Sequence, residues 1–231
     1  KNDDSLKESL RPELLITFGK SFISKNLKLF LRKYKPIAHW HLQMSQSVID
    51  PFQTLTKIIL ANPASFFKRL LEDLDYRRFR EGDDDERDSE FFKNWQMSEQ
   101  KSKGLIHRFL GDSTVFSEFQ VVYEVLANLP DHCLLHLANS MAVRYANLIG
   151  VQPEKQVEVF ANRGTSGIDG CLSTAVGSAL ATDKMVFSLI GDVAFFYDRN
   201  ALWHSELPDN LRVVLLNNHG GNIFRLIDGP S

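Results

Sequence analysis

Two short polar clusters, each closing an apolar run, carry the strongest chemical signal in this sequence. The run at 185–190 (MVFSLI) ends in Gly191-Asp192. The run at 213–216 (VVLL) ends in Asn217-Asn218, followed by His219, Gly220 and Gly221. Apolar runs of this length read as buried strands, and open α/β sheets bind ligands beyond the carboxyl ends of their strands. A carboxylate, an amide oxygen and a loop carbonyl form a hard oxygen set suited to Mg²⁺, which keeps phosphate and water oxygens in its octahedral shell. The glycines let backbone approach a phosphate closely. A helix expected after Asp192 turns its positive N-terminal end to the same point. A Gly-Asp at a strand end is common by itself, and Asn-Asn-His-Gly-Gly by itself reads as a turn. The pair at this spacing is far more specific. No complete Walker phosphate loop and no Gly-x-Gly-x-x-Gly competes with it.

Further polar groups fall at the same expected edge. Asn139-Ser140 closes the run 133–138, with Arg144 one helical turn beyond Ser140 and on its face. Asn162-Arg163-Gly164 closes the run 157–161 and leads into Gly167-Ile168-Asp169-Gly170. Two arginines at one sheet edge are suited to grip carboxylates or a diphosphate through forked hydrogen bonds. The bland reading pairs Arg144 with a surface acid and makes Arg163 a loop cap; beside a Mg²⁺ motif, function is the stronger reading for both. His39 and His41 alternate along a strand and so share a face, but two imidazoles are too few for zinc and are taken as structural. His219 reads as a solvent residue at a loop tip.

The elements that must position these groups alternate strand and helix. Residues 14–18, 37–42 and 57–60 read as strands, with helical spacing at 21–34 and a helix opening at Pro63. Residues 81–90 carry seven acidic side chains against one Arg and read as a solvated linker rather than a metal site. An amphipathic helical stretch follows. Phe116, Phe119, Val122, Tyr123 and Leu126 are expected on one buried helical face. Four strand candidates follow at 133–138, 157–161, 185–190 and 213–216, with a small-residue helix at 171–181. The expected fold class is α/β, with two Rossmann-like parallel-sheet domains. Residues 1–80 form part of one α/β domain, 81–101 the linker, and 102–231 a ligand-binding domain.

Composition agrees with a globular protein: 231 residues, 43% hydrophobic, 24% charged, net charge −2. Nothing in that charge favours nucleic acid or anionic membrane as a partner. Cys133 and Cys171 lack CxxC spacing and are expected buried and unbonded. No apolar run reaches the length of a membrane span and no signal peptide is evident, so a cytoplasmic location is expected. The polar start without Met and the stop soon after the second glycine cluster read as the ends of a fragment.

Three segments together resemble the SEPHCHC synthase family of menaquinone biosynthesis, a group of thiamine diphosphate enzymes. They are Asn162-Arg163-Gly164-Thr165-Ser166-Gly167-Ile168-Asp169-Gly170, Gly191-Asp192, and the stretch from Asn217 to Phe224. The first discriminates the family; the Gly-Asp to Asn-Asn pairing is general to thiamine diphosphate enzymes. The resemblance implies three α/β domains, of which this chain holds part of the central one and a C-terminally incomplete diphosphate-binding one. The pyrimidine-binding domain, with its cofactor-activating glutamate, lies outside it, and the fragment by itself is expected to be inactive. Self-association through that missing domain, as a dimer or tetramer, is implied too. The implied reaction decarboxylates 2-oxoglutarate and adds the product unit to isochorismate, with thiamine diphosphate and Mg²⁺ or Mn²⁺ as cofactors. By resemblance Asp192, Asn218 and Gly220 (through its carbonyl) ligate the metal. Gly191, Val193, Ala194, Asn222, Ile223 and Phe224 join them around the cofactor, and Ile168 supports its bent form. Ser140, Arg144 and Arg163 contact substrate or intermediate carboxylates, with Lys25 added from the central domain. Ala194 departs from the family, in which many relatives place a serine. The alternatives are another thiamine diphosphate 2-keto acid decarboxylase or synthase, and a noncatalytic cofactor-binding module.

Overall fold

The computed structural model describes residues 4–19, 22–45, 50–81, 89–113, 115–221 and 223, the side chains of 76–81 apart. The chain divides into two compact units, Lys1–Leu105 and Ile106–Ser231. Most of the acidic run falls outside the described residues.

The first unit opens with a short helix, α1 (Asp4–Ser9), and holds a three-stranded parallel sheet in the order β1 (Leu14–Phe18), β2 (Ala38–Gln43), β3 (Lys57–Leu60). Helix α2 (Lys25–Lys33) joins the first two strands. It starts later than hydrophobic spacing suggests because Ser24 is its N-cap, accepting from the Leu27 N–H at 3.2 Å. Helix α3 (Pro63–Glu81) begins with Pro in its first turn, where the missing N–H costs nothing. His39 and His41 do share a face of β2. Both bond to the Thr17 hydroxyl, at 2.8 Å and 2.9 Å, and His39 also meets the Thr54 hydroxyl at 3.0 Å. They are buried structural polar groups.

Helix α4 (Glu90–Asp112) runs through the boundary between the units. The second unit contains α5 (Glu118–Ala127), β4 (Leu134–Leu137), α6 (Met141–Ile149), β5 (Glu158–Phe160), α7 (Cys171–Leu180), β6 (Val186–Gly191), α8 (Asp192–Asp198) and β7 (Leu211–Leu216). Its four strands are parallel in the order β5-β4-β6-β7. The chain steps from β4 outward to β5, then crosses back through α7 to β6 on the other side of β4. This reversal makes a crevice beyond the carboxyl ends of β4 and β6, where open α/β sheets bind ligands.

The central strands β4 and β6 are mostly buried, and edge strand β5 is exposed. Helix α7 presents Cys171, Leu172, Ala175, Val176 and Ala179 to the sheet. These small side chains let it pack closely against Ala138, Ile190 and Ala194 at one end and Leu134 and Val186 at the other. Cys133 and Cys171 are both free and buried. Val122 and Leu126 of α5 reach the core, but Phe116 is 81% exposed. Ser117 caps the helix, accepting from the Gln120 N–H, so Phe116 precedes the first turn and escapes the helical face. Among the described residues, no helix is long and apolar enough to cross a membrane.

Candidate functional site

Strands β6 and β7 are neighbours in register, with Gly191 opposite Leu216, so the residues that follow each emerge side by side. Asp192 is 6% exposed. Its Oδ1 accepts from the Val193 N–H at 2.8 Å and its Oδ2 from the Gly220 N–H at 2.9 Å. The same Gly220 N–H also reaches Asn218 Oδ1 at 3.1 Å. One backbone amide thus draws together the carboxylate from one strand end and the amide oxygen from the next. Gly220 has φ +153, and His219 before it is left-handed at φ +61 and exposed. This tight return brings the amide back over Asp192. Helix α8 has only seven residues, so these backbone amides, rather than a long helix dipole, set the local polarity.

A buried carboxylate is normally paired with a cation or bound to a metal. No Lys, Arg or His among the described residues forms an ion pair with Asp192. Nor do three His, Cys, Asp or Glu side chains gather into a metal-binding group among the described residues. A divalent cation here would rest on one carboxylate, one amide oxygen and backbone carbonyls, and that donor set fits Mg²⁺.

At the end of β4, Asn139 is 3% exposed and acts as a hub. Its Nδ2 donates to the Asn162 carbonyl at 2.8 Å and the Gly167 carbonyl at 2.6 Å, and its Oδ1 accepts from Arg163 Nη1 at 2.8 Å. The loop after β5 is thereby tied to the end of β4. Ser140 next to it is strained at φ +75, a left-handed conformation uncommon outside glycine. Its carbonyl accepts from Arg144 Nη1 at 2.6 Å. Burial first, then the nearby Arg163 charge, pushes the Arg144 pKa below its ordinary value. Arg163 Nε is buried without a hydrogen-bond partner. No carboxylate among the described residues pairs with either arginine. Two partly desolvated guanidiniums near each other, with no paired acid among the described residues, are chemically suited to an anion.

A cleft of about 120 Å³ lies beyond these strand ends, lined by Ser140, Ile168, Gly191, Asp192, Asn218 and Ile223, among others. Val193, Ala194 and Gly220 also line it. Asn222 and Phe224 lie outside the described residues. Lys25 is the exposed first residue of α2 in the first unit and is not part of the cleft lining. Asn139, expected at this edge together with Ser140, is a hub in a way that its place at a strand end does not reveal. One further contributor was not among the expected site residues. Glu118 lines the cleft and accepts from Asn218 Nδ2 at 2.7 Å. Next to Ser117 it reads simply as the acidic first turn of a capped helix, and nothing local links it to a residue 100 positions away.

No family model matches the sequence. Among curated proteins, it is 46% identical over 224 residues to the 2-succinyl-5-enolpyruvyl-6-hydroxy-3-cyclohexene-1-carboxylate synthase of Cytophaga hutchinsonii, covering 97% of this chain and 38% of that one. The chain resembles SEPHCHC synthases along nearly its whole length. The proteins of the same name from Flavobacterium johnsoniae and Bacteroides fragilis are 42% and 43% identical, over 98% and 97% of this chain and 38% and 37% of their own. The chain thus spans well under half the length of the SEPHCHC synthases it matches. The match takes in the cleft with its metal-type oxygens, and also Arg144 and Arg163, which are not in its lining but bond to the lining residues Ser140 and Asn139.

Proposed function

We propose that this chain carries the diphosphate- and metal-holding half of a SEPHCHC synthase active site. The whole enzyme would decarboxylate 2-oxoglutarate and add the remaining four-carbon unit to isochorismate, a transferase step of menaquinone biosynthesis. The observation that carries this reading is the meeting of Asp192 and Asn218 at the Gly220 amide, beyond the ends of adjacent strands. The similarity over 97% of the chain supports the choice of reaction.

Asp192 and Asn218, through their side-chain oxygens, and Gly220, through its carbonyl, would hold Mg²⁺ or Mn²⁺. Gly191, Val193, Ala194 and Ile223 line the space beside them, with Asn222 and Phe224 assigned by resemblance. Thiamine diphosphate, when bound, supplies the electron sink for losing CO₂ and making the new carbon–carbon bond. The protein's own part is to anchor, orient and exclude. Ile168, packed on the core cluster at the cleft wall, offers an apolar shoulder that keeps water from the reacting end. Arg144 and Arg163 neutralise and align substrate carboxylates, and strained Ser140 sets where Arg144 begins. Lys25 enters this reading on the resemblance alone.

Self-association fits the same picture. Phe196 and Tyr197, on the helix that starts at Asp192, are 62% and 69% exposed, an apolar surface suited to a second protein face. A general ligand-binding module is the second reading; the two acid-free arginines favour a dicarboxylate enzyme over it.

The deciding experiment is titration calorimetry of thiamine diphosphate with Mg²⁺ on the full-length protein. Asp192→Ala should abolish Mg²⁺-dependent binding, because the diphosphate loses its bridging cation. Unchanged affinity would sink the assignment.

A further inference from the structure

Glu118 is the cleft residue that the chemistry above leaves unused. It opens α5 directly after the cap Ser117, lines the cleft with Asp192 and Asn218, and accepts from Asn218 Nδ2 at 2.7 Å. An asparagine side chain has two ends of similar size and opposite polarity, so half a turn about its last bond exchanges donor and acceptor. Its partners decide which end faces the cleft. An ionised carboxylate only accepts, so Glu118 can hold only the nitrogen. The Gly220 N–H only donates, so it can hold only the oxygen, at 3.1 Å. That amide is already shared with Asp192 Oδ2 at 2.9 Å, so on its own it grips Asn218 weakly.

We infer that Glu118 is a positioning residue that locks the Asn218 amide with its oxygen toward the divalent-cation site. The inference rests on the metal role proposed for Asp192 and Asn218. Without Glu118, Asn218 can swing its N–H₂ group toward the cation, replacing a ligand with a repelling donor. Partners that orient metal ligands are typically worth 10–100-fold in metal affinity. The competing explanation is that Glu118 serves only α5, as a negative charge in its first turn.

Mn²⁺ binding to the full-length protein with saturating thiamine diphosphate, read from the free-ion signal in electron paramagnetic resonance, separates the two. Glu118→Ala should weaken Mn²⁺ binding by about tenfold or more. Asn218→Asp puts two equivalent oxygens at this position, with no orientation left to fix. In that background, adding Glu118→Ala should leave Mn²⁺ affinity unchanged or tighten it, since it removes a like charge from the new carboxylate. Equal losses in both backgrounds, or none in either, would overturn the inference. So would a fall in the ligand-free melting temperature with Mn²⁺ affinity intact, which assigns Glu118 to α5. Asp192→Ala tests the underlying site separately. If the unsubstituted protein takes up no Mn²⁺, or holds it as well without Asp192, the metal site fails and this role fails with it. If Asp192→Ala abolishes binding and Glu118→Ala does not weaken it, the role of Glu118 alone is wrong.

Discussion

At the scale of single residues, the two arginines differ in what else they hold. Arg144 Nη1 is bonded to a backbone carbonyl, whereas Arg163 Nη1 satisfies the buried Asn139 side chain. In the proposed function each contacts a substrate carboxylate, and truncating such a charge contact costs about 1.5–3 kcal/mol. Arg144→Ala and Arg163→Ala should therefore each lower kcat/KM for 2-oxoglutarate by roughly tenfold or more in the full-length enzyme. Only Arg163→Ala also strands the Asn139 Oδ1, so it should lower the melting temperature further than Arg144→Ala. Normal kinetics in either variant would remove that arginine from the site. Asn139 itself bonds to three positions of the one loop after β5, so its replacement should act chiefly on the order of that loop.

At the scale of elements, α7 is held at its start by a carboxylate from outside it. Asp198 is 6% exposed, and it accepts from the Ser173 N–H at 2.7 Å and the Ser173 hydroxyl at 2.6 Å. A negative charge at a helix start satisfies an otherwise unbonded amide and the helix dipole together. Asp198→Ala should cost about 1.5–3 kcal/mol in denaturant unfolding, typical of bonds to a charged group. Loss below about 0.5 kcal/mol would mean that α7 is held by packing alone. The sheets carry a pH dependence of their own. Burial pushes the His39 and His136 pKa values below the ordinary histidine range, in His39 against the opposing pull of Asp50. The unfolded chain then takes up protons at higher pH than the folded one. Their contribution to stability is full above about pH 6.5 and is lost as pH falls below it. His136 Nε2 has no partner and its ring stacks on Phe160. His136→Phe should thus keep stability at neutral pH and flatten the fall in melting temperature between about pH 6.5 and 5. An unchanged acid slope would assign that fall to other groups.

At the scale of the whole molecule, the cleft is open and small. Its volume of about 120 Å³ suits a diphosphate end better than an entire cofactor. Among the described residues, Asp192 and Glu118 are the carboxylates in its lining, and both are engaged, with Gly220 and Asn218. Neither is free to act on the far end of a bound cofactor. The 231-residue chain tested by itself should therefore release no CO₂ from 2-oxoglutarate, even with saturating thiamine diphosphate and Mg²⁺. Its cofactor affinity should be weak, because ordering the unheld end is uncompensated. Steady CO₂ release that vanishes in Asp192→Ala would place a further activating carboxylate within these residues.

What the sequence alone determined was local. Runs such as 14–18 and 57–60 are strands because apolar residues and their polar ends sit next to each other in the chain, and both match the observed bounds. Caps moved helix starts by a few residues at Ser24 and left Phe116 outside α5, because one side-chain bond to an amide outweighs a continued apolar spacing. The tertiary structure decided which strand ends meet. The order β5-β4-β6-β7 is a choice among distant pairings, and no window of sequence contains both partners. The Asp192–Gly220–Asn218 junction, the Asn139 hub and the Glu118–Asn218 bond all depend on that order. Each joins groups whose chemistry is legible in the chain but whose proximity exists only once the parallel sheet is paired in register.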